Sequence, residues 1–140
     1  MKRKKFLNKQ FSSWVFLTVM LFTSLVAESL DAGREQRIAS QTLQTLFLGE
    51  PIWLKQDKSA QSFLGLVTPS DENNYSILMI HGTGQGPDTP YVIGPMRELL
   101  SEDGFGTLSI QMPVLSDDEN YDNYIEVFTE SRRRVGQGVK

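Results

Sequence analysis

The spacing of hydrophobic residues predicts a helix soon after residue 30. A 3.6-residue repeat runs through residues 31–48, and Gly49 is placed to end the helix. The apolar positions of this repeat share one face and lie at Ala39, Leu43, Leu46 and Phe47. We expect this face to serve packing, and we assign no chemistry to it.

Two short hydrophobic runs follow and predict a hairpin. Residues 52–54 and 63–67 have the length and composition of strands, and a polar turn at 57–59 separates them. Pro51 begins the first run, and the turn-rich segment 69–74 leads out of the second. Trp53 is expected to pack in the core or cover the sheet edge, with a pocket wall as the alternative.

A strand, a glycine-rich loop, a helix and another strand form the next predicted unit. Residues 75–81 include a β-branched apolar run at 77–80, which is typical of a strand buried on both faces. A helix is predicted at 95–103, with Pro95 at its first position and Gly104 at its end. Hydrophobic and polar residues then alternate over 107–112, so the unit is a βαβ crossover. The predicted apolar face of the helix consists of Met96, Leu99 and Leu100.

The last predicted helix covers residues 124–135. Its arginines at 132–134 are placed near the C-terminal end of the helix dipole. Residues 136–140 show no pattern and are expected to be an unstructured tail. The order of elements predicts an α/β fold, with an N-terminal helix at 30–49 and a domain portion at 50–135.

The loop that leaves the 75–81 strand carries the candidate chemistry. Open α/β sheets place ligand sites at the carboxyl ends of their strands. Gly82, Gly84 and Gly86 allow positive φ angles, which are expected to turn backbone N–H groups toward one point and stabilise an anion or oxyanion. The alternative is a simple turn in which His81 is a hydrogen-bonded structural residue.

Two phosphate-binding motifs do not fit this loop. Pro87 stands where the third glycine of G-x-G-x-x-G is required, and the chain contains no Gly-Lys-Ser or Gly-Lys-Thr. A dinucleotide fingerprint and a P-loop are therefore excluded.

The residues 80–84, with the run 93–97, Gly104 and the strand end at 107–113, resemble a known superfamily. A His-Gly pair at a strand end before a glycine loop and a helix is similar to the oxyanion-hole segment of α/β-hydrolases. The resemblance implies that Thr83 supplies the loop N–H, that His81 and Gly82 shape the turn, and that Gly84 belongs to the same loop. From about residue 50 to residue 135 the chain also resembles an uncharacterised bacterial family of exported α/β-hydrolase-like proteins.

The residues that such a hydrolase needs for its chemistry are missing from the sequence. The superfamily places its nucleophile on a G-x-S-x-G turn and follows it with an acid and a histidine. No serine here has glycine both two positions before and two positions after it, and His81 is the sole histidine. The chain is therefore expected to be an N-terminal portion with an incomplete α/β-hydrolase-like sheet, without a complete catalytic set and inactive by itself.

Charge and cysteine content exclude several other classes. The first 29 residues hold five basic residues and one acidic residue, Glu28, so the rest of the chain carries 9 basic against 16 acidic residues. Such an acidic body argues against nucleic-acid binding, which requires clustered Lys and Arg. The chain has no cysteine, which excludes disulfides, thiolate metal sites and a cysteine nucleophile.

Residues 1–29 have the pattern of a secretory signal. A basic stretch at 2–9 precedes an uncharged apolar run at 14–27, which is shorter than the roughly 20 residues that span a bilayer. Cleavage is expected after Ser29 or Ala27, and an uncleaved membrane anchor is the alternative. The body is expected outside the cytoplasm, in the bacterial periplasm.

An acidic loop at 116–122 matches a calcium-binding loop in only part of its sequence. Asp118, Asn120 and Asp122 match the first ligand spacing of an EF-hand loop, but Asn123 replaces the required glycine and Thr129 the required glutamate. We interpret the loop as solvated, and we expect no metal and no cofactor.

Three functions remain open from the sequence. The first is the incomplete, exported α/β-hydrolase-like protein, whose small-molecule substrate is unknown. The second is a small periplasmic module that binds an anionic ligand through the glycine loop without catalysis. The third is a structural protein tethered to the membrane by its leader. Self-association through an exposed sheet edge is a further expectation, because the nucleophile strand that would cover the 75–81 strand is absent.

Overall fold

The computed structural model describes residues 30–55, 61–70, 75–125 and 127–140. The predicted signal segment at 1–29, the turn at 57–59 and most of the link at 69–74 lie outside the described residues.

Four strands form one mixed sheet in the order β1-β2-β4-β3. Strands β1 (Glu50–Lys55) and β2 (Ser62–Thr68) make the predicted antiparallel hairpin, and β2 continues antiparallel to β4 (Gly106–Ile110). Strand β3 (Ser76–Ile80) lies parallel to β4 on its other side. The predicted α/β class, with a leading hairpin and one βαβ unit, is confirmed.

Strand β4, like β2, has a neighbour on each side, and four of its five residues are buried. Thr107 and Ser109 are as fully buried as Ile110, although they are the polar members of the predicted alternation. Strand β3 pairs with β4 alone among the described strands. Met79 is buried there, but Ile80 keeps 46% of its surface exposed. The prediction that the 75–81 strand is buried on both faces is therefore wrong, since β3 occupies an edge of the described sheet.

Helix α1 (Ala32–Thr45) begins as predicted and ends earlier. The Asp31 carboxylate accepts a hydrogen bond from the backbone N–H of Arg34 at 2.7 Å and so caps the first turn. The helix stops at Thr45, three residues before the predicted end.

The early end of α1 changes its buried face. The buried residues are Glu35, Ala39 and Thr42. Leu43 is 37% exposed and Phe47, which lies beyond the helix end, is 91% exposed. The predicted packing face is therefore wrong for Leu43 and Phe47. Thr42 takes the buried position beside Leu43 within the helix, and Phe47 lies past the end of the helix.

Helix α2 (Ile93–Glu102) begins two residues before the predicted start. Pro95 is its third residue instead of its first, a position where the missing N–H still costs nothing because the first turn has no intrahelical acceptors. Ile93 and Arg97 form the buried face, whereas Met96 and Leu99 are 46% and 60% exposed. The apolar face predicted from these two residues is wrong, and the charged Arg97 takes the core position instead.

Helix α3 (Phe128–Gly138) follows a short 3-10 helix at Tyr121–Ile125. The prediction of a single helix over 124–135 merged these two elements. Residues 136–138 are helical, so the predicted unstructured tail is wrong for them. Gly138 lies against the sheet, where a Cβ atom would stand 2.9 Å from Leu78 Cδ1.

The helices cover opposite faces of the sheet. On one face, Ala39 of α1 joins Leu64 and Leu66 of β2 in a buried cluster. On the other face, α3 approaches Leu78 and Leu108, which are register partners on β3 and β4. This arrangement leaves the loop after β3 at the carboxyl end of the two parallel strands.

Candidate functional site

A cavity of about 250 Å³ adjoins the loop that follows β3. The loop contributes three consecutive residues to its lining, and the 3-10 helix and the start of α3 contribute aromatic and aliphatic walls. Tyr121, Ile125 and Phe128 are each more than 60% exposed, so the cavity opens to solvent through an apolar rim. The lining residues used below are His81, Gly82, Thr83, Met112, Tyr121, Ile125 and Phe128.

His81 joins the carboxyl ends of the two parallel strands. Its Nε2 accepts a hydrogen bond from the backbone N–H of Met112 at 2.9 Å. Its Nδ1 lies 2.8 Å from the carbonyl oxygen of Gly82. Because the N–H of Met112 requires an acceptor, the proton must be on Nδ1, from which it is donated to Gly82. The ring is thus a neutral link between the ends of β3 and β4.

Burial lowers the pKa of His81 below its ordinary value of 6.5. Desolvation is the largest cause, and the positive charge of Arg134 acts in the same direction, while the hydrogen bond to the Gly82 carbonyl opposes them. Both ring nitrogens are already used and the side chain is 6% exposed. His81 therefore holds the site together and is not placed to accept a proton from a substrate.

The glycines of the loop serve different purposes from those predicted. Of Gly82, Gly84 and Gly86, Gly84 alone has a positive φ angle, at 69°. Gly86 is required by close packing, since a Cβ atom there would stand 2.7 Å from Ile38 Cγ2 on α1. The expectation that all three glycines turn their N–H groups by positive φ is wrong.

Two of the loop N–H groups are engaged inside the loop. The N–H of Gln85 donates to the carbonyl oxygen of Gly82 at 3.2 Å, and the N–H of Gly86 reaches Thr89 Oγ1 at 3.4 Å. The N–H of Thr83 makes no hydrogen bond to any residue that the structure describes, and Thr83 is exposed beside the cavity. One backbone donor is therefore available at the predicted position.

Buried side chains fix the loop against the sheet. Ser109 Oγ on β4 donates to the carbonyl oxygen of Pro87 at 2.6 Å. The Arg97 guanidinium, 1% exposed, contacts the Asp88 carboxylate and donates to the carbonyl oxygen of Leu48 at 2.6 Å. The loop is thus attached to β4, to α2 and to the segment before β1.

A second buried arginine was missed by sequence reasoning. The guanidinium of Arg134 on α3 binds both carboxylate oxygens of Glu35 on α1, at 2.9 and 3.2 Å. It also donates to the carbonyl oxygen of Gln111 and lies 5.0 Å from the ring centre of Phe63. The sequence predicted that Arg134 lies near the C-terminal end of the helix dipole; its actual position is in the core. The signal that pointed to this was the spacing of Glu35 four residues before Ala39, on the same helix face.

The described residues contain no group of three or more His, Cys, Asp or Glu side chains arranged to hold a metal ion. Asp118, Asn120 and Asp122 are all exposed. Within the same residues, no helix is long and apolar enough to cross a membrane.

The fold is that of an α/β protein with a mixed sheet and a structured loop at the carboxyl end of its parallel strands. A family model described as a protein of unknown function (DUF3530) matches residues 28–127. The chain belongs to this family. No curated protein and no solved structure matches the chain significantly.

Proposed function

We propose that this chain is the oxyanion-loop portion of an exported α/β-hydrolase-like protein. In this proposal the N–H of Thr83 is one oxyanion donor, His81 and Gly82 hold the turn, and Gly84 supplies its positive φ. The observation that carries the proposal is the N–H of Thr83, which has no hydrogen-bond partner among the described residues, beside an apolar cavity at the carboxyl end of β3. A backbone N–H group fixed in place before the reaction stabilises the negative charge that develops on a carbonyl oxygen.

The sheet order supports this proposal. An antiparallel hairpin opens the sheet, and the loop-bearing strand β3 lies parallel to β4 at the far side. In the hydrolase arrangement that the sequence resembles, the strand before the oxyanion loop lies between the next strand and the nucleophile strand. The side of β3 that no described strand covers corresponds to the position of the nucleophile strand.

The lining of this cavity favours the acyl group as the part of a substrate that binds here. Its walls are largely aromatic and aliphatic, from Tyr121, Ile125 and Phe128. Both ring nitrogens of His81, the sole histidine, form hydrogen bonds with backbone groups. Such a site binds and orients a carbonyl compound but offers no nucleophile or base. The nucleophile and base of the reaction are accordingly assigned to residues other than those of this loop.

Export through residues 1–29 belongs to the same proposal. The basic stretch at 2–9 and the uncharged run at 14–27 support a secretory signal. Mass spectrometry of the exported protein tests it: a mature N-terminus near residue 28 or 30 is expected, and an intact Met1 in a membrane fraction would count against cleavage.

Amide-resolved NMR titration tests the oxyanion donor. Hexanoate offers a carboxylate oxygen to the loop and an aliphatic tail to the cavity. We expect it to shift the Thr83 amide proton downfield with millimolar affinity, which corresponds to about 4 kcal/mol. The uncharged 1-hexanol, with the same tail, should perturb the cavity residues and leave the Thr83 amide proton nearly in place.

Two variants at one position provide the matched comparison. Thr83→Ala keeps the backbone N–H and should bind hexanoate as the unmodified chain does. Thr83→Pro removes the N–H and should weaken hexanoate binding while leaving 1-hexanol binding unchanged. Equal hexanoate affinity for both variants would remove the oxyanion role from Thr83.

The purified chain should not hydrolyse p-nitrophenyl acetate or butyrate above the buffer rate. It lacks a G-x-S-x-G serine, and His81 has no free ring nitrogen. Turnover that persists through purification and disappears in His81→Ala would contradict the proposal that the chain is inactive by itself.

A further inference from the structure

The cavity beside the His81 loop has a buried inner wall in addition to its exposed rim. Pro113, shortly after β4, and Val127, the N-cap residue of α3, line the cavity and are buried. The cavity volume of about 250 Å³ exceeds the roughly 150 Å³ of an apolar cavity that encloses benzene. The cavity is therefore large enough for a hydrocarbon group of limited size.

The start of α3 forms one wall of this cavity through a single helical face. Val127, Phe128 and Ser131 all line the cavity, and residues three and four positions apart are neighbours on a helix surface. Ser131 has the smallest side chain of the three. Its Oγ donates a hydrogen bond to the carbonyl oxygen of Val127 at 3.0 Å, a bond back along the helix that serine commonly makes. The feature of Ser131 that a ligand meets is therefore its small size.

The size of the side chain at position 131 controls how much of the cavity a ligand can occupy. Ser131 lines the cavity and is partly buried. A longer apolar side chain at this position would fill space that is now open between α3 and the strand ends. Because packed walls yield little, a ligand that needs this space would be excluded or would bind only in part.

We propose that the cavity takes an alkyl chain of limited length and that Ser131 sets this limit. The identification of the chain as the acyl part of a substrate rests on the proposed function; the length limit itself does not. If the six carbons of benzene need roughly 150 Å³, the volume of about 250 Å³ holds a chain of roughly ten carbons. Ser131 thus acts as a specificity-determining residue, because its small side chain leaves room for the last carbons of the chain.

A series of unbranched carboxylates tests the length limit by NMR titration of the full chain. The probes are butanoate, hexanoate, octanoate, decanoate and dodecanoate, each kept below the concentration at which it forms micelles. Burial of each methylene should raise the affinity about fourfold from butanoate to octanoate. The gain per methylene should fall below about twofold between decanoate and dodecanoate, because the last carbons remain in water.

Substitutions at position 131 separate its size from its hydroxyl. Ser131→Leu adds two non-hydrogen atoms and should weaken decanoate at least fivefold, while hexanoate changes by less than about twofold. Ser131→Ala removes the hydroxyl without adding bulk and should leave the whole length series unchanged. Thr129→Leu places the same leucine at an exposed position of α3 outside the cavity and should also leave the series unchanged.

Uncharged 1-alkanols separate this inference from the oxyanion role of Thr83. From 1-butanol to 1-octanol the gain per methylene should equal that of the carboxylates, because the same chain is buried. Thr83→Pro should weaken the carboxylates of every length by one factor and leave the gain per methylene unchanged. If Thr83→Pro has no effect and the gain per methylene persists, the oxyanion role fails and the alkyl site is supported.

Three results would overturn the inference. One is an affinity that is independent of chain length, or that keeps rising about fourfold per methylene through dodecanoate. Another is a Ser131→Leu variant in which hexanoate and decanoate are weakened equally, or in which neither is weakened. The third is a Ser131→Ala variant that shortens the preferred chain as much as Ser131→Leu does.

Discussion

Arg134 on α3 and Glu35 on α1 form a buried bidentate ion pair at the carboxyl end of β4. Their side chains are 4% and 7% exposed, and the two helices lie on opposite faces of the sheet. The carbonyl oxygen of Gln111, just after β4, accepts a third bond from the same guanidinium. The pair therefore joins both helical layers around the end of the central strand.

Removing one partner of this pair should strongly destabilise the protein. Arg134→Met leaves the Glu35 carboxylate buried without a counter-charge, so the free energy of unfolding should fall by about 3–5 kcal/mol. Urea denaturation of the full chain measures the change. Arg133→Met, at a side chain that is 62% exposed, is the matched control and should alter stability by less than about 0.5 kcal/mol.

The double variant Glu35→Met with Arg134→Met separates charge from packing. It should be more stable than Arg134→Met alone, because no unpaired charge remains in the core. A double variant that loses the sum of both single losses would show that the two side chains contribute independently, and would contradict the view that an orphaned charge causes the single losses.

The stability of the protein should decline as the pH falls below 6.5. In the folded protein His81 is neutral, because burial lowers its pKa. The unfolded chain takes up a proton near the ordinary pKa of 6.5. The unfolded state thus binds more protons below that pH, so the contribution of His81 is complete above 6.5 and is lost as the pH falls toward the lowered folded pKa.

His81→Gln provides the comparison for this pH effect. Glutamine cannot change charge, yet its amide oxygen is able to accept the Met112 N–H. Unfolding free energies at intervals from pH 8 to pH 5 should fall more steeply for the unmodified chain than for the variant. His81 is the sole histidine, so parallel curves would show that its protonation does not differ between the folded and unfolded states.

Two glycines should respond to alanine in opposite directions. Gly49 has a φ angle of 82°, and a Cβ atom there would stand 2.5 Å from the Val67 carbonyl oxygen. Gly49→Ala should therefore destabilise by more than about 2 kcal/mol. Gly136 lies within α3 with nothing within 4 Å of an added Cβ, so Gly136→Ala should stabilise by about 0.5–1 kcal/mol. Thermal or urea unfolding compares them; similar effects at both positions would contradict this account.

The side of β3 that no described strand covers should cause self-association. Residues 76–80 carry no charge, and Ile80 is 46% exposed, so this edge lacks the charged side chains that usually prevent strand pairing. Residues 30–140 should be marginally folded and elute as dimers or aggregates in size-exclusion chromatography with light scattering. Ile80→Lys should shift them toward the monomer, whereas Phe47→Lys, also at an exposed apolar side chain, should not.

A different outcome would change the order of the functional hypotheses. A monomer of residues 30–140 that unfolds cooperatively with roughly 5 kcal/mol or more of stability would contradict the edge prediction. The sheet would then be stable without a further strand on β3, and a binding module would replace the incomplete hydrolase as the favoured function.

The sequence predicted which elements form better than how deeply each is buried. The hairpin, the βαβ unit and the end of α2 shortly before Gly104 follow from local signals, namely turn residues and apolar runs. Burial depends on the sheet order, which local patterns do not contain. The apolar run of β3 therefore looked more central than β4, whose Thr107 and Ser109 are buried by neighbours on both sides.

The residues of the candidate site were also predictable from local signals, whereas their distant partners were not. His81 and the glycine loop were found because a strand, a glycine cluster and a helix follow one another directly in the sequence. The partners of His81 were not predictable, since the N–H of Met112 lies 31 residues away in the chain. Arg97 and Arg134 were missed because charged residues are almost never fully buried unless paired, and their pairs form between separate elements.

The sheet order also has a kinetic consequence. The hairpin and the β3–α2–β4 unit each consist of elements that are neighbours in sequence, but the ladder that joins them pairs Gly65 with Ile110. Closing that long loop costs chain entropy before any contact repays it. We expect each unit to collapse early and the β2–β4 ladder to form in the rate-limiting step. Helix α3, whose Arg134 needs Glu35 and Gln111 already in place, should dock last. Substitutions in α3 should then accelerate unfolding and leave the folding rate nearly unchanged.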